Sequence, residues 1–241
     1  MSRLPNKIIP LPNPDKEFHE KWYKNRNMLN LPHPFRCVAF GMPNVGKTTV
    51  IKNILLRANP PFEEVVIIHC DGGYTKEYDD VGDNIEILSE IPAPEDWEGL
   101  VKTLVILDDL EFKGMKKDQI RNLDRLFGYC STHKNLSVIL ACQNFTNIPP
   151  IVRRCSNLII MWKNHDIDSM SVIARKSGLK TEDLRNIFNN LLKEPKDSLW
   201  LDLTDNSPYP MRKNGFTLIN KVKSSNSKEE PHFLQGKTCN D

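Results

Sequence analysis

The sequence of 241 residues contains no apolar stretch near the ~20 residues that a membrane-spanning helix requires. Residues 1–14 also lack the apolar core of a signal peptide. We therefore expect an intracellular protein without membrane insertion. A folded core is within reach, because 39% of the residues are hydrophobic and 27% are charged, as in ordinary globular proteins.

Cysteine pairs with the spacing of redox or metal motifs are lacking as well. Four of the six cysteines lie in or beside apolar runs, which indicates reduced core residues of an intracellular protein. His69 and His133 have no companion at metal-ligand spacing, so we assign no zinc site. The sequence also has no large excess of positive or negative residues. Its formal net charge of +2 neither requires nor excludes a nucleic-acid partner.

One motif with two glycines stands between an apolar run, 35–40, and an amphipathic run, 49–58. Its eight residues are Gly41, Met42, Pro43, Asn44, Val45, Gly46, Lys47 and Thr48. In a phosphate-binding loop the glycines let successive N–H groups face an anion, and the following helix adds the positive end of its dipole. Lys47 then reaches the β- and γ-phosphates, and the Thr48 hydroxyl binds Mg²⁺. The motif predicts binding of a nucleoside triphosphate with Mg²⁺ at residues 41–49, Thr49 included.

Polar residues follow two further apolar runs. Asp108 and Asp109 end the run 104–107, and we assign Asp108 to Mg²⁺ and Asp109 to the general base that polarises the attacking water. Gln143 comes directly after the apolar strand 136–142. If that strand lies between the loop strand and the acidic strand, Gln143 faces the γ-phosphate and can sense it or position the water.

Strand-length runs alternate with helical patterns along most of the chain. Apolar runs at 64–70, 104–107, 136–143 and 157–162 predict strands, and 116–129 predicts a helix with one apolar face. Such alternation is typical of an α/β fold with a mostly parallel sheet flanked by helices.

The pattern changes after Trp162. Residues 167–176 and 181–192 predict two helices, with Thr181 as the N-cap of the second. Residues 198–203 alternate apolar and polar side chains, and we expect them to pair with 215–219 as a small antiparallel edge. We divide the chain into an extended arm (1–34), a P-loop ATPase domain (35–219) and a flexible polar tail (220–241).

Three segments in this order resemble one family. The run 133–144, the segment 148–154 and the strand 157–160, together with the acidic pair, are similar to the genome-packaging ATPases of large DNA viruses and virophages, the poxvirus-type branch of the FtsK/HerA superfamily. The resemblance covers about residues 35–219. One departure is Ser131-Thr132-His133, where many relatives carry Gly-Arg-His, so an arginine role does not transfer to Thr132.

The resemblance implies a RecA-like fold with an additional strand between the loop strand and the acidic strand. It also implies a homo-oligomeric ring, pentameric or hexameric, around double-stranded DNA. Hydrolysis of ATP at the subunit interfaces would drive viral DNA into a preformed capsid, with a capsid or portal vertex protein as partner. The expected location is the host cytoplasm or the viral assembly site.

The basic residues are harder to assign. A motor of this type stabilises the γ-phosphate with an arginine from the neighbouring subunit. Arg153 and Arg154 are the candidates, with Arg121 and Arg125 behind them. For DNA contacts the candidates are three lysines after the acidic pair, in a segment that also contains Gly114. They are Lys113, Lys116 and Lys117.

Two other functional classes stay open. A P-loop kinase shares the loop but needs a phosphoacceptor pocket and a lid rich in arginine. A nucleotide-switched assembly protein would bind ATP and oligomerise without translocating anything. The order Lys163-Asn164-His165-Asp166 disfavours a GTPase, and the sequence has no Leu-Ser-Gly-Gly-Gln signature of a transporter ATPase.

Overall fold

A single mixed sheet organises the computed structural model, which describes residues 29, 31–70, 77–78, 82, 84–204, 207–222 and 232–238. The described strands are β1 (Arg36–Phe40), β2 (Glu64–His69), β3 (Ile85–Leu88), β4 (Thr103–Asp108), β5 (Leu136–Cys142), β6 (Leu158–Trp162), β7 (Ser198–Asp202), β8 (Met211–Lys213), β9 (Thr217–Val222) and β10 (His232–Thr238). The helices are α1 (Lys47–Leu56), α2 (Lys117–Arg125), α3 (Pro150–Cys155), α4 (Ile167–Lys176) and α5 (Thr181–Asn190), with a short 3₁₀ turn at Pro94–Asp96.

Strand order places the ends of β1, β5 and β4 side by side. The sheet runs β10-β9-β8-β7-β6-β1-β5-β4-β2-β3. The segment from β6 to β3 is parallel, and the segment from β7 to β10 is antiparallel. This arrangement confirms the predicted α/β fold and the additional strand, which is β5.

Helices cover both faces of the parallel segment, as its strands require. Side chains alternate along β1, so Cys37 and Ala39 pack with α1 on one face, while Val38 and Phe40 pack with α2, α4 and α5 on the other. The central strands β4 and β5 are buried throughout. Burial on both faces explains why these strands are continuous apolar runs rather than alternating ones.

The predicted helix 116–129 has a change of geometry near its end. After α2 the chain continues through a π-helical turn, Leu126–Cys130, and a last α-helical turn, Ser131–His133. Leu126, Phe127 and Cys130 are all fully buried within this turn. Leu123, Leu126, Phe127 and Cys130 follow the spacing i, i+3, i+4 and i+7, so the predicted apolar face is present and buried. The sequence pattern did not predict that the hydrogen bonding becomes π-helical here.

The expected pairing of 198–203 with 215–219 is wrong. The three-residue strand β8 lies between β7 and β9 and pairs with both. Asn214 and Gly215 have positive φ values of 53° and 80° and form the tight turn between β8 and β9. A strand of three residues has too little alternation to be recognised in the sequence.

Two further boundaries differ from the prediction. Thr181 is the first residue of α5 rather than its N-cap; Lys180 is the cap residue, and its backbone N–H donates to Asp183 Oδ2 over 3.0 Å. The boundary at 219 falls inside β9, which continues to Val222 and pairs antiparallel with β10. Most of the predicted arm and the rest of the tail lie outside the described residues. Among the described helices, none has the length and apolar character needed to cross a membrane.

Candidate nucleotide-binding site

The loop between β1 and α1 has the backbone conformation that a phosphate nest requires. Gly46 caps α1 with φ 103° and ψ 25°, and Asn44 is also left-handed, with φ 63°. Left-handed residues are accessible to glycine and tolerated by asparagine. The turn therefore leads directly into the N-terminus of α1, where backbone N–H groups have no partner within the helix.

Gly41 sits where the loop crosses the sheet edge. Its N–H donates to the carbonyl of Cys142, at the end of β5, over 3.1 Å. A Cβ atom at this position would lie 2.8 Å from Cγ2 of Val45 and 3.0 Å from Cε3 of Trp162. Only glycine fits, and the contact with Cys142 brings the loop beside the residue that follows, Gln143.

Lys47 is folded back over the loop. Its Nζ donates to the carbonyls of Gly41 and Met42, at 2.9 and 3.0 Å. An ammonium group has three donors, so a third remains for an oxygen of a phosphate. The side chain thus holds a positive charge at the mouth of the loop, where the helix dipole also favours an anion.

Asp108 and Thr48 form the side of the site suited to a divalent cation. Asp108 is 4% exposed, and burial raises the pKa of its carboxyl group, an effect opposed by a hydrogen bond of 2.7 Å from the Tyr78 hydroxyl. The Thr48 hydroxyl donates to Oε2 of Glu77 over 3.3 Å. Hydroxyl and carboxylate oxygens are the hard donors that Mg²⁺ prefers, so these residues fit the predicted metal.

Asp109 and Gln143 both line an open cleft of about 640 Å³ at the carboxyl ends of β4 and β5. The cleft is lined by 109–113 on one side and by 141–144 with Asn147 on the other. Asp109 adopts a left-handed conformation with φ 49°, which turns the chain away from β4 directly after Asp108. The two aspartates consequently point to different surroundings: Asp108 is buried and Asp109 is exposed.

The predicted basic residues are not gathered at this cleft. Lys113 lines it, but Lys116 forms a salt bridge of 3.0 Å with Glu90, and Lys117 is exposed at the start of α2. Arg153 and Arg154 lie in the last turn of α3, shortly before β6 begins at Leu158. β1 and β6 are parallel, so their first residues lie at one edge of the sheet and their last residues at the other. The loop of residues 41–46 follows the last residue of β1, whereas both arginines precede the first residue of β6. The arginines therefore lie at the edge of the sheet opposite the loop of their own chain.

Two residues of the site went unnoticed in the sequence, namely Glu77 and Tyr78. No motif marks them, and Tyr78 is a buried aromatic residue like many others. Their position after β2 could have indicated them. β2 is the parallel neighbour of β4, and the segments that follow parallel neighbours leave the sheet at the same edge. Residues 71–76, which precede them in the sequence, lie outside the described residues.

Comparisons with known proteins give matches among solved structures. No protein-family model matches the chain, and no curated protein matches its sequence. The genome packaging NTPase B204 from Sulfolobus turreted icosahedral virus 2, in complex with ATP-gammaS, matches with a TM-score of 0.53 and 16% identity over 75% of this chain and 96% of that one.

Two further structures match at a similar level. B204, the DNA-packaging ATPase from Sulfolobus turreted icosahedral virus, has a TM-score of 0.54 and 17% identity over 73% of this chain and 95% of its own. The pCW3 conjugation coupling protein TcpA with ATPgS has a TM-score of 0.51 and 13% identity, covering 75% and 59%. The chain therefore has the RecA-like α/β fold of P-loop ATPases that viral genome packaging NTPases share with a conjugation coupling protein.

Proposed function

We propose that this chain is an ATP-hydrolysing motor of the FtsK/HerA type that moves double-stranded viral DNA into a preformed capsid. One observation carries the proposal. The strand order β1-β5-β4 brings the loop with Lys47, the amide of Gln143 and the carboxylates of Asp108 and Asp109 to one edge of the sheet. The likeness in fold to B204 supports the packaging role.

Each side chain at this edge has a defined task in hydrolysis. Lys47 and the N-terminus of α1 bind the phosphates of ATP and hold the γ-phosphate at the edge of the cleft. Asp109 is exposed in the cleft and accepts a proton from the attacking water, while Gln143 positions that water from the end of β5. Thr48 and Asp108 would hold Mg²⁺, which neutralises charge on the phosphates when bound.

The arginine that completes the site comes from another subunit in this proposal. Because Arg153 and Arg154 lie at the far edge of the sheet, neither reaches the loop of its own chain. In a ring, the surface of one subunit that carries these arginines can face the nucleotide bound to the next subunit. We therefore retain both as candidates for a cation that acts in trans on a homo-oligomeric ring.

DNA contacts are assigned to the exposed segment after β4. Lys113 and Lys117 are exposed, whereas Lys116 shares its charge with Glu90. The lysines follow Asp109 closely in sequence, so movement of this segment on hydrolysis would be transmitted to the DNA phosphates. A capsid or portal vertex protein would be the remaining partner, in the host cytoplasm or at the viral assembly site.

Steady-state ATP hydrolysis tests the proposal directly. The purified protein is assayed with and without linear double-stranded DNA, and Lys47→Ala serves as the blank. We expect hydrolysis that depends on Mg²⁺ and increases several-fold with DNA. A rate of ATP hydrolysis that DNA does not change, or hydrolysis that requires a small phosphoacceptor, would favour a kinase instead. Binding of ATP without any turnover would favour a nucleotide-switched assembly protein.

A further inference from the structure

Two adjacent residues, Glu77 and Tyr78, contact the two residues assigned to the metal. Tyr78 donates its hydroxyl hydrogen to Oδ2 of Asp108 over 2.7 Å. Oε2 of Glu77 accepts from the Thr48 hydroxyl over 3.3 Å. Thr48 lies in the first turn of α1, and Asp108 is the last residue of β4. The dipeptide Glu77-Tyr78 therefore connects the α1 part of the site to the β4 part.

These hydrogen bonds leave the correct atoms available to a cation. A threonine hydroxyl that binds a cation presents its oxygen lone pairs and must send its hydrogen to an acceptor. Glu77 is such an acceptor. A carboxylate has two oxygens, and the bond from Tyr78 occupies Oδ2 of Asp108, which leaves Oδ1 for the cation or one of its waters.

Packing makes the arrangement rigid on the tyrosine side. Tyr78 is 1% exposed, and its ring belongs to the apolar cluster that includes Ile51 of α1 and Ile67 of β2. The ring cannot rotate freely there, so the hydroxyl is held in place before any ligand binds. Glu77, by contrast, is exposed and can adjust when a cation approaches.

We propose that Glu77 and Tyr78 are positioning residues that orient Thr48 and Asp108 for a divalent cation. The inference rests on the proposed Mg²⁺-dependent hydrolysis of ATP. It assigns a role to a segment after β2 that carries no nucleotide motif. Outer hydrogen bonds of this kind typically change metal affinity or activity about 10- to 100-fold when they are removed.

The main test is Tyr78→Phe, which keeps the ring and removes the hydroxyl. Two quantities are measured: the Mg²⁺ concentration for half-maximal hydrolysis, and the Mg²⁺ dependence of binding of a fluorescent non-hydrolysable ATP analogue. We expect both to shift to about 10-fold higher Mg²⁺, with nucleotide binding in EDTA unchanged. Tyr129→Phe is the matched control, since Tyr129 is exposed and lies on the π-helical turn, and it should shift neither.

Glu77 provides a second test that does not disturb the core. We expect Glu77→Ala to shift the same Mg²⁺ dependence, and Glu77→Gln to restore most of it, because a glutamine oxygen also accepts from Thr48. A shift as large in Glu77→Gln as in Glu77→Ala would contradict the hydrogen-bonding role.

The same measurements separate the role of Tyr78 from the ATPase activity itself. An unchanged Mg²⁺ dependence in Tyr78→Phe, or an equal loss of nucleotide binding in EDTA, would mean that Tyr78 serves packing alone. Wild-type protein that neither binds nor hydrolyses ATP would instead contradict the proposed function.

Discussion

Lys47 and Asp109 lie in different surroundings, which suit the different steps that we propose for them. Lys47 is already anchored on the carbonyls of Gly41 and Met42, so its charge needs little reorganisation to meet a phosphate. Asp109 is exposed in the cleft, where a water molecule can reach it. Binding should therefore depend on the lysine and turnover on the aspartate.

We expect Lys47→Ala to abolish both nucleotide binding and hydrolysis. Asp109→Asn should bind ATP nearly as wild type but hydrolyse it about 100-fold more slowly or worse, because the amide cannot accept the proton. Fluorescent-nucleotide titration and phosphate release measure the two effects. Asp118→Asn, an exposed aspartate on the first turn of α2, is the control. Equal loss of binding in both site variants would refute this division of roles.

Helix α4, which follows β6 near the nucleotide loop, is stabilised by an N-cap residue, Asp166. Trp162, at the end of β6, packs against Gly41, and α4 begins five residues later. Asp166 caps the helix, accepting from the backbone N–H of Ser169 at 3.1 Å and from the Ser169 hydroxyl. These hydrogen bonds lower the pKa of the Asp166 carboxyl group.

Asp166→Ala should reduce the free energy of unfolding by about 1 kcal/mol at pH 7, the usual value of an N-cap. Since the pKa of Asp166 is lower in the folded state, its contribution is complete above about pH 4 and is lost as the pH falls through the folded value. Urea unfolding at pH 7 and pH 3 measures both effects, and the gap between wild type and variant should narrow at pH 3.

The control for the cap is Asp168→Ala. Asp168 is exposed in the first turn of α4, where it adds favourable charge without a capping bond. Its loss should cost less than that of Asp166. Identical losses in the two variants would show that charge near the helix end, rather than the capping bond, supports α4.

At the scale of the whole molecule, the sheet separates the nucleotide loop from the candidate arginines. The five residues of β1 span about 15 Å between its two ends. Arg153 and Arg154 precede the start of the parallel strand β6, on the side away from the loop. A single subunit is thus incomplete if either arginine acts on nucleotide, and completeness requires a second copy.

Mixing two inactive variants tests this requirement. Lys47→Ala keeps the arginines but loses the loop, and the double variant Arg153→Ala/Arg154→Ala does the reverse. Alone, the double variant should hydrolyse ATP at least about 1000-fold more slowly than wild type. The mixture should recover measurable DNA-stimulated hydrolysis, because some interfaces then combine an intact loop with an intact arginine.

Arg185→Ala is the matched control, since Arg185 is exposed and pairs only loosely with Glu182 over 3.5 Å. It should keep the wild-type rate. Light scattering of the mixture checks that the variants assemble together. Mixed assemblies without any recovery, or a double variant that hydrolyses at the wild-type rate, would rule out these arginines.

Local features of the sequence were enough to predict the nucleotide loop and the main elements. The eight residues from Gly41 to Thr48 are contiguous, so their conformation and chemistry depend on neighbours in the chain. The apolar runs of β4 and β5 and the periodicity of α4 are local in the same sense, and each was predicted close to its observed bounds. The strand order was inferred only through a family resemblance.

What the tertiary structure decided is the set of contacts between distant residues. Strand neighbours are joined by backbone hydrogen bonds that carry little side-chain information, so local pattern did not reveal that β8 separates β7 from β9. For the same reason Glu77 and Tyr78 could not be linked to Thr48 and Asp108. The sequence by itself determined the loop that we propose binds the phosphates, because its eight residues are contiguous. Only the folded sheet decided which side chains surround that loop and that Arg153 and Arg154 lie away from it, because those contacts join residues distant in the chain.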